Sequence, residues 1–169
     1  MIDDARTSGL AADAERPLAR FLTDSSLEHL ARRLRFLGYD VATIRGARLD
    51  ELLQVARRDG RTVLTLSARR PARYRDVPVI VVARGDPVPS LRSLAATHAP
   101  AGGPFSRCAL CNEPLQRRTA FEARGEVPGR ALRASRAFTY CPHCGRWYWE
   151  GSHVARIRAW LEAALGHPL

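Results

Sequence analysis

Four cysteines in two matched pairs constrain this chain more than any other feature. Cys108-Ala-Leu-Cys111 and Cys141-Pro-His-Cys144 are its only cysteines, and residues 112–140 separate them. A Cys-x-x-Cys turn aims two thiolates at one point. Two such turns supply the four soft ligands of a tetrahedral zinc site at about 2.3 Å each. With every position held by sulfur, no coordination site stays open to water or substrate, so the expected zinc is structural. Two other uses of these cysteines fit less well. A disulfide framework suits small secreted chains, whereas this sequence opens without a secretory leader and is too long, at 169 residues, to depend on two bridges. A thioredoxin-like redox motif needs one such turn beside a βαβ unit, not two matched ones. His143 is read as a spacer, because the tetrahedron is already full.

The charge balance narrows the partner. A net charge of +10 suggests a polyanion, but all 27 basic residues are arginine in a chain rich in Ala, Gly and Pro. A GC-rich genome produces that bias without regard to function, so basicity supports nucleic acid without deciding it. No apolar run approaches the roughly 18 residues a membrane span requires. Thiolate ligands and the lack of a targeting signal favour the cytoplasm.

Hydrophobic periodicity divides the chain. Residues 1–16 are acidic and aperiodic, and read as a flexible N-terminal tail. Strands are expected at 18–23, 40–44, 61–66 and 77–83, the last a run of Val and Ile that reads as buried on both faces. Helices are expected at 26–37, 49–58 and 90–98, with Gly38 and Gly60 as stops. On the first helix Arg32, Arg33 and Arg35 fall off the apolar line and read as a solvated face. This alternation predicts an α/β domain over 17–99 with a mainly parallel sheet. Residues 100–106 read as a linker. A four-cysteine zinc ribbon with a closing helix at 153–165, capped by Ser152, occupies 107–169.

In open α/β sheets ligands gather at the carboxyl ends of the strands. Asp24 follows the first strand and Asp50 opens the helix after the second, so both fall at that edge, with Asp86 a possible third. Asp40 and Asp76 begin strands and read as structural. Two carboxylates at one rim suit a hard cation such as Mg²⁺ or Mn²⁺. Ser25 and Glu28 have capping-box spacing, which would leave Asp24 free. Asp50 has the alternative of serving the helix dipole. Arg69, Arg70 and Arg73 follow the third strand and are candidates for a phosphate track, weighed against a solvated loop. Trp147, Tyr148 and Trp149 read as the ribbon's own small core ahead of a base-stacking surface. His153 reads as structural.

Longer strings carry a resemblance. Phe21-Leu-Thr-Asp24-Ser-Ser-Leu27, Leu34-Arg-Phe-Leu-Gly-Tyr-Asp40 and Gly60-Arg-Thr-Val-Leu-Thr65 resemble the Mut-seven C-terminal ribonuclease family, PIN-like domains with an appended zinc ribbon. Arg107-Cys-Ala-Leu-Cys-Asn-Glu-Pro-Leu115 and Tyr140-Cys-Pro-His-Cys-Gly-Arg-Trp-Tyr-Trp-Glu-Gly-Ser-His153 resemble its two ribbon signatures. The resemblance implies metal-dependent cleavage of RNA, such as transfer or ribosomal RNA, by a PIN-like acidic site. Asp24 and Asp50 match the family's first two acids. Where the family pattern continues Leu-Thr-Arg-Asp, this chain has Leu64-Thr-Leu-Ser67, so a hydroxyl replaces the third carboxylate. Two functions of different class follow: an endoribonuclease with a reduced acid set, or a non-catalytic RNA-binding or ribonucleoprotein-associated module on the same fold.

Overall fold

The computed structural model of the chain describes residues 16–169; the expected tail lies almost wholly outside the described residues. Strands β1 (Arg20–Asp24), β2 (Asp40–Ile44), β3 (Thr62–Thr65) and β4 (Val79–Val81) form a parallel sheet in the order β2-β1-β3-β4. Helices α1 (Glu28–Phe36), α2 (Leu49–Asp59) and α3 (Val88–Thr97) connect and flank them. Successive strand residues face opposite ways, so each strand feeds two cores. Phe21, Val41 and Leu64 pack with Leu30 and Leu34 of α1 and Leu91 of α3. Leu22 and Val63 pack on the other face with Leu52, Leu53 and Ala56 of α2. Helices on both faces are what a parallel sheet requires, because neither face is then left to water.

The C-terminal part is a second, antiparallel sheet of β5 (Gln116–Arg118), β6 (Phe138–Tyr140) and β7 (Trp147–Trp149), with a short helix α4 (Gly129–Ala134). Phe138, Ala123, Val127 and Ala131 form its small core, with Trp147 and Trp149 packed against it, as expected for aromatics beside a knuckle. Helix α5 (Ser152–Leu165) then returns to the α/β unit, where Leu161 and Ala164 join the core of α1 and α3. The connection at 100–106 lies against the end of α1, with the Phe105 amide donating to the Phe36 carbonyl at 2.7 Å. Gly38 turns the chain there at φ +90°, and a Cβ on it would lie 2.0 Å from the Gly102 carbonyl oxygen.

Several local expectations are corrected. The run at 77–83 yields only three ladder residues on an edge strand, and Val81 is 52% exposed. Its side chains still reach both faces, Val77 and Val79 into the α2 core and Ile80 and Val82 into the α1 core, while Val81 stands open at the edge. Glu28 does not close a capping box with Ser25; its carboxylate turns along the helix to Arg32 and Arg35. Gly151, not Ser152, is the N-cap residue of α5. The largest correction concerns Arg35, expected on a solvated face but only 1% exposed.

Candidate metal centre and acid edge

The two cysteine turns share one backbone design. In each, the first cysteine's amide donates to the carbonyl five residues on (Cys108 to Glu113, Cys141 to Arg146, both 2.8 Å). In each, the amide four residues on returns to that cysteine's carbonyl at 3.0 Å, from Asn112 and Gly145. That fifth position is left-handed in both, at φ 72° for Asn112 and 69° for Gly145, a conformation that Gly and Asn tolerate best. The folds of the turns bring all four sulfurs within 4.8 Å of one another. Cys108 and Cys144 are 3.6 Å apart and Cys111 and Cys141 3.4 Å. A zinc tetrahedron with bonds of about 2.3 Å has sulfur–sulfur edges near 3.8 Å, so the donor set fits zinc in kind and in size.

The sulfurs are tuned unequally. Burial raises the Cys108 thiol, but the Tyr148 hydroxyl, donating at 3.0 Å, and the Leu110 and Cys111 amides outweigh it and hold it at about 6. Burial and neighbouring cysteines push Cys111 and Cys144 up. A metal ion must therefore displace protons from the latter as it binds.

The centre is tied to the α/β unit by two side chains. Asn112 accepts from the Val41 amide at 2.8 Å and donates to Asp40 at 2.7 Å, docking the first turn on the start of edge strand β2. Arg35 donates to the Val41 carbonyl at 2.8 Å, Thr43 at 2.6 Å, Glu28 at 3.1 Å and the Ala109 carbonyl at 2.9 Å. Burial lowers the pKa of Arg35, with Glu28 opposing the shift. Asp40 is raised by burial, yet hydrogen bonds from Arg61 and Asn112 outweigh that and leave it below the usual carboxylate range. Asp40 is structural, as its position at a strand start suggested, and Asp76 is tied to Arg57 at 2.5 Å.

The other predicted site residues lie at the opposite edge of the sheet. Asp24 ends β1, the strand at which the order of connections reverses, between β2 leading to Asp50 and β3 leading to Ser67. Asp24 itself caps the 3-10 turn that precedes α1, accepting from the Ser26 amide at 2.8 Å and from the Ser26 hydroxyl. Asp50 is exposed and paired with Arg73 at 2.8 Å. Asp50 and Ser67 line one shallow recess with Arg69 and Arg70. The Ser67 hydroxyl accepts from the Arg69 amide at 3.2 Å. Arg70 folds back on the Tyr74 carbonyl at 3.1 Å, while the Arg69 guanidinium has no partner among the described residues. Asp86 is exposed and accepts from the Val88 amide at 2.9 Å at the start of α3. Among the described residues only the four cysteines form a cluster of three or more metal-ligating groups.

Sequence reasoning missed Arg35, Asn112 and Tyr148 as parts of the metal centre. Asn112 carried a usable signal, since it stands where the second turn has glycine and both residues accept a positive φ.

A family model described as the Mut7-C RNAse domain matches residues 19–161. The chain belongs to the Mut7-C RNAse domain family. The match runs from β1 into α5, and so takes in the parallel sheet and the cysteine cluster together. Membership of this family points to a ribonuclease-like function, with RNA as the corresponding substrate. No curated protein and no solved structure matches it significantly. No described helix is long and apolar enough to cross a membrane.

Proposed function

We propose that this Mut7-C RNAse domain is a metal-dependent endoribonuclease of the PIN-like type, acting in the cytoplasm on transfer or ribosomal RNA, with Asp24 and Asp50 as its acids. The observation that carries the reading is the strand order. A parallel sheet whose connections reverse at β1 sets Asp24 at the crevice where ligands of such sheets collect, flanked by the segments bearing Asp50 and Ser67. The two carboxylates suit a hydrated Mg²⁺ or Mn²⁺, which commonly takes one or two carboxylates plus substrate phosphate. Such an ion supplies charge neutralisation at the phosphodiester and a polarised water.

The protein's own groups have separable roles. Asp24 is fixed by Ser26, so it offers a carboxylate whose position is set before substrate arrives. Asp50 is released when Arg73 exchanges it for a phosphate oxygen, which couples RNA arrival to exposure of the second acid. Arg69 is free to take a backbone phosphate. Ser67 adds a neutral oxygen in place of the family's third carboxylate, so the metal is held weakly and cleavage is slow. The zinc centre stabilises the C-terminal part and takes no step in the reaction.

The second reading, a non-catalytic RNA-binding module, is favoured by one feature: Ser67 spends its hydroxyl on the Arg69 amide. Incubating a panel of structured and single-stranded RNAs with Mg²⁺ or Mn²⁺ separates the two. Cleavage lost in Asp24→Asn and in Asp50→Asn supports the nuclease, and Ser67→Asp should then accelerate it. RNA binding without cutting by the natural chain, with cutting created only by Ser67→Asp, overturns it in favour of the binding module.

A further inference from the structure

A large cavity lies on α1 outside the recess that holds Asp50 and Ser67. A cleft of about 890 Å³ opens between α1, the cysteine turns with β7, and α5. That volume sits near the upper end of the roughly 300–1,000 Å³ typical of ligand sites. Its walls hold Arg32, Arg33, Arg146 and Arg156 against a single acid, Glu126. All three tryptophans of the chain, Trp147, Trp149 and Trp160, line it. Trp160 is 38% exposed, and the Arg33 guanidinium lies over its ring at 4.5 Å, so an arginine and an indole are already stacked across the cleft. Arg32 is held by Glu28, but Arg146 and Arg156 make no side-chain hydrogen bond or ion pair among the described residues.

Two residues of α1 link the cleft towards the acid edge. His29 and Arg33 line it and also line a second recess with Leu27, Arg84 and Ser26, the residue whose amide donates to Asp24. Unpaired arginines beside exposed aromatic faces suit a polyanion whose bases are free to stack, the combination that binds single strands. A duplex keeps its bases stacked on each other and offers only phosphates.

We infer that this cleft seats a single-stranded stretch of the RNA substrate, with a base on the Trp160–Arg33 stack and phosphates on Arg146 and Arg156. The inference rests on the ribonuclease reading for its substrate. The strand leaves the cleft over His29 and reaches the sheet edge at Asp24. Cleavage therefore falls at a fixed offset from the seated stretch, and fully paired RNA is a poor substrate.

The experiment uses full-length, zinc-loaded Asp24→Asn protein without added Mg²⁺ or Mn²⁺, titrated with an oligoribonucleotide as a single strand and as a duplex. Because every tryptophan lines the cleft, intrinsic fluorescence reports occupancy, and anisotropy of labelled RNA reports binding anywhere. The single strand should quench the fluorescence and the duplex should not. Arg146→Glu/Arg156→Glu should weaken binding at least tenfold and lower the salt slope by about 1.4, from about 0.7 per phosphate contact on a single strand. Trp160→Ala should weaken binding roughly tenfold at an unchanged salt slope, with Trp160→Phe restoring most of it. Arg58→Glu/Arg136→Glu changes the same charge away from the cleft, and zinc content with circular dichroism checks the fold of each variant. Absence of RNA binding, binding without quenching, or cleft variants that match the Arg58/Arg136 control would overturn the inference. Cutting that depends on Asp24 but ignores the cleft variants sinks the cleft alone. Quenching with cleft dependence in a natural chain that never cuts sinks the nuclease reading alone.

Discussion

Arg35→Met tests the junction between the metal centre and the sheet. The arginine is almost fully buried and donates to the backbone carbonyls of Val41 and Ala109, at 3.4 Å to that of Leu110, and to Thr43 and Glu28. Methionine fills a similar length but donates nothing, so these acceptors lose their partner. A buried acceptor left unsatisfied costs about 1–3 kcal/mol, and the two carbonyls held at 2.8 and 2.9 Å therefore account for about 2–6 kcal/mol, the long bond to Leu110 adding little. Glu28 adds less, because it keeps Arg32 and is 20% exposed. Taking about 4 kcal/mol, and about 2–4 °C per kcal/mol for a chain of this size, the melting temperature should fall by roughly 8–16 °C. Part of that loss should surface at the zinc, since Arg35 holds the backbone between Cys108 and Cys111. A chromogenic chelator should strip metal from the variant faster than from the natural protein. The comparison is Arg33→Met on the same helix, which loses its stack on Trp160, about 0.5–1 kcal/mol, and a solvent-exposed hydrogen bond to the His29 carbonyl that water replaces. Arg35→Lys should recover little, because an ammonium cannot reproduce the planar fork of donors. Equal melting temperatures for Arg35→Met and Arg33→Met, with equal chelation rates, would refute the assignment of Arg35 as a junction.

Three further outcomes are expected. Metal analysis should find one zinc per chain, and its removal, or Cys108→Ser, should abolish hydrogen-exchange protection in β5, β6 and β7 while β1 and β3 stay protected. Asp40 has a folded pKa below its unfolded value, so its stabilisation is present above the unfolded pKa of about 3.9 and disappears as pH falls through the folded one. Asp40→Asn should thus cost about 2 kcal/mol at neutral pH, with the gap to the natural protein closing in melts below about pH 4. Gly38→Ala should be poorly folded, since its Cβ meets the Gly102 and Gly103 carbonyl oxygens at 2.0 and 2.6 Å. Gly60→Ala, left-handed but with nothing within 4 Å, should cost only about 1 kcal/mol by thermal melt.

What the sequence made legible was whatever a period or a spacing encodes. Leu30 and Leu34 announced the buried face of α1, Gly60 its neighbour's end, and the cysteine pairs announced a metal centre that the geometry then closed. Arg35 was illegible for a physical reason. Helical period places it off the apolar stripe, and a charged residue there is normally solvated; only the returning first cysteine turn covers it. The same holds for Glu28, whose spacing from Ser25 suggested a cap but whose carboxylate has a better partner in a buried guanidinium. The run at 77–83 does feed both cores, but its edge position was hidden because an apolar run does not tell whether a further strand pairs beside it, and Val81 shows that none does. At the acid edge, Asp24 and Asp50 were placed correctly along the chain, but the pairing of Asp50 with Arg73 depends on how the loop after β3 folds back.

Helix α1 connects the two functional regions, and its direction explains why they are separate. It begins beside Asp24 at the carboxyl edge of the sheet and ends beside Phe105 and the first cysteine turn at the opposite edge. Its nine residues span about 14 Å. One face, Leu30, Ala31 and Leu34, is committed to the core, and Arg35 is committed to the junction. Glu28 pairs with Arg32 and Arg35, and His29, Arg32, Arg33 and Phe36 form the α1 wall of the aromatic cleft. The cysteine cluster thus shapes the far wall of the cleft without approaching the acids, because Ala109, Leu110, Gly145 and Arg146 line it directly from the two cysteine turns. On the ribonuclease reading, an RNA strand must run the length of α1 to touch both regions. The ribbon then governs which RNA is held, and the sheet edge governs whether it is cut.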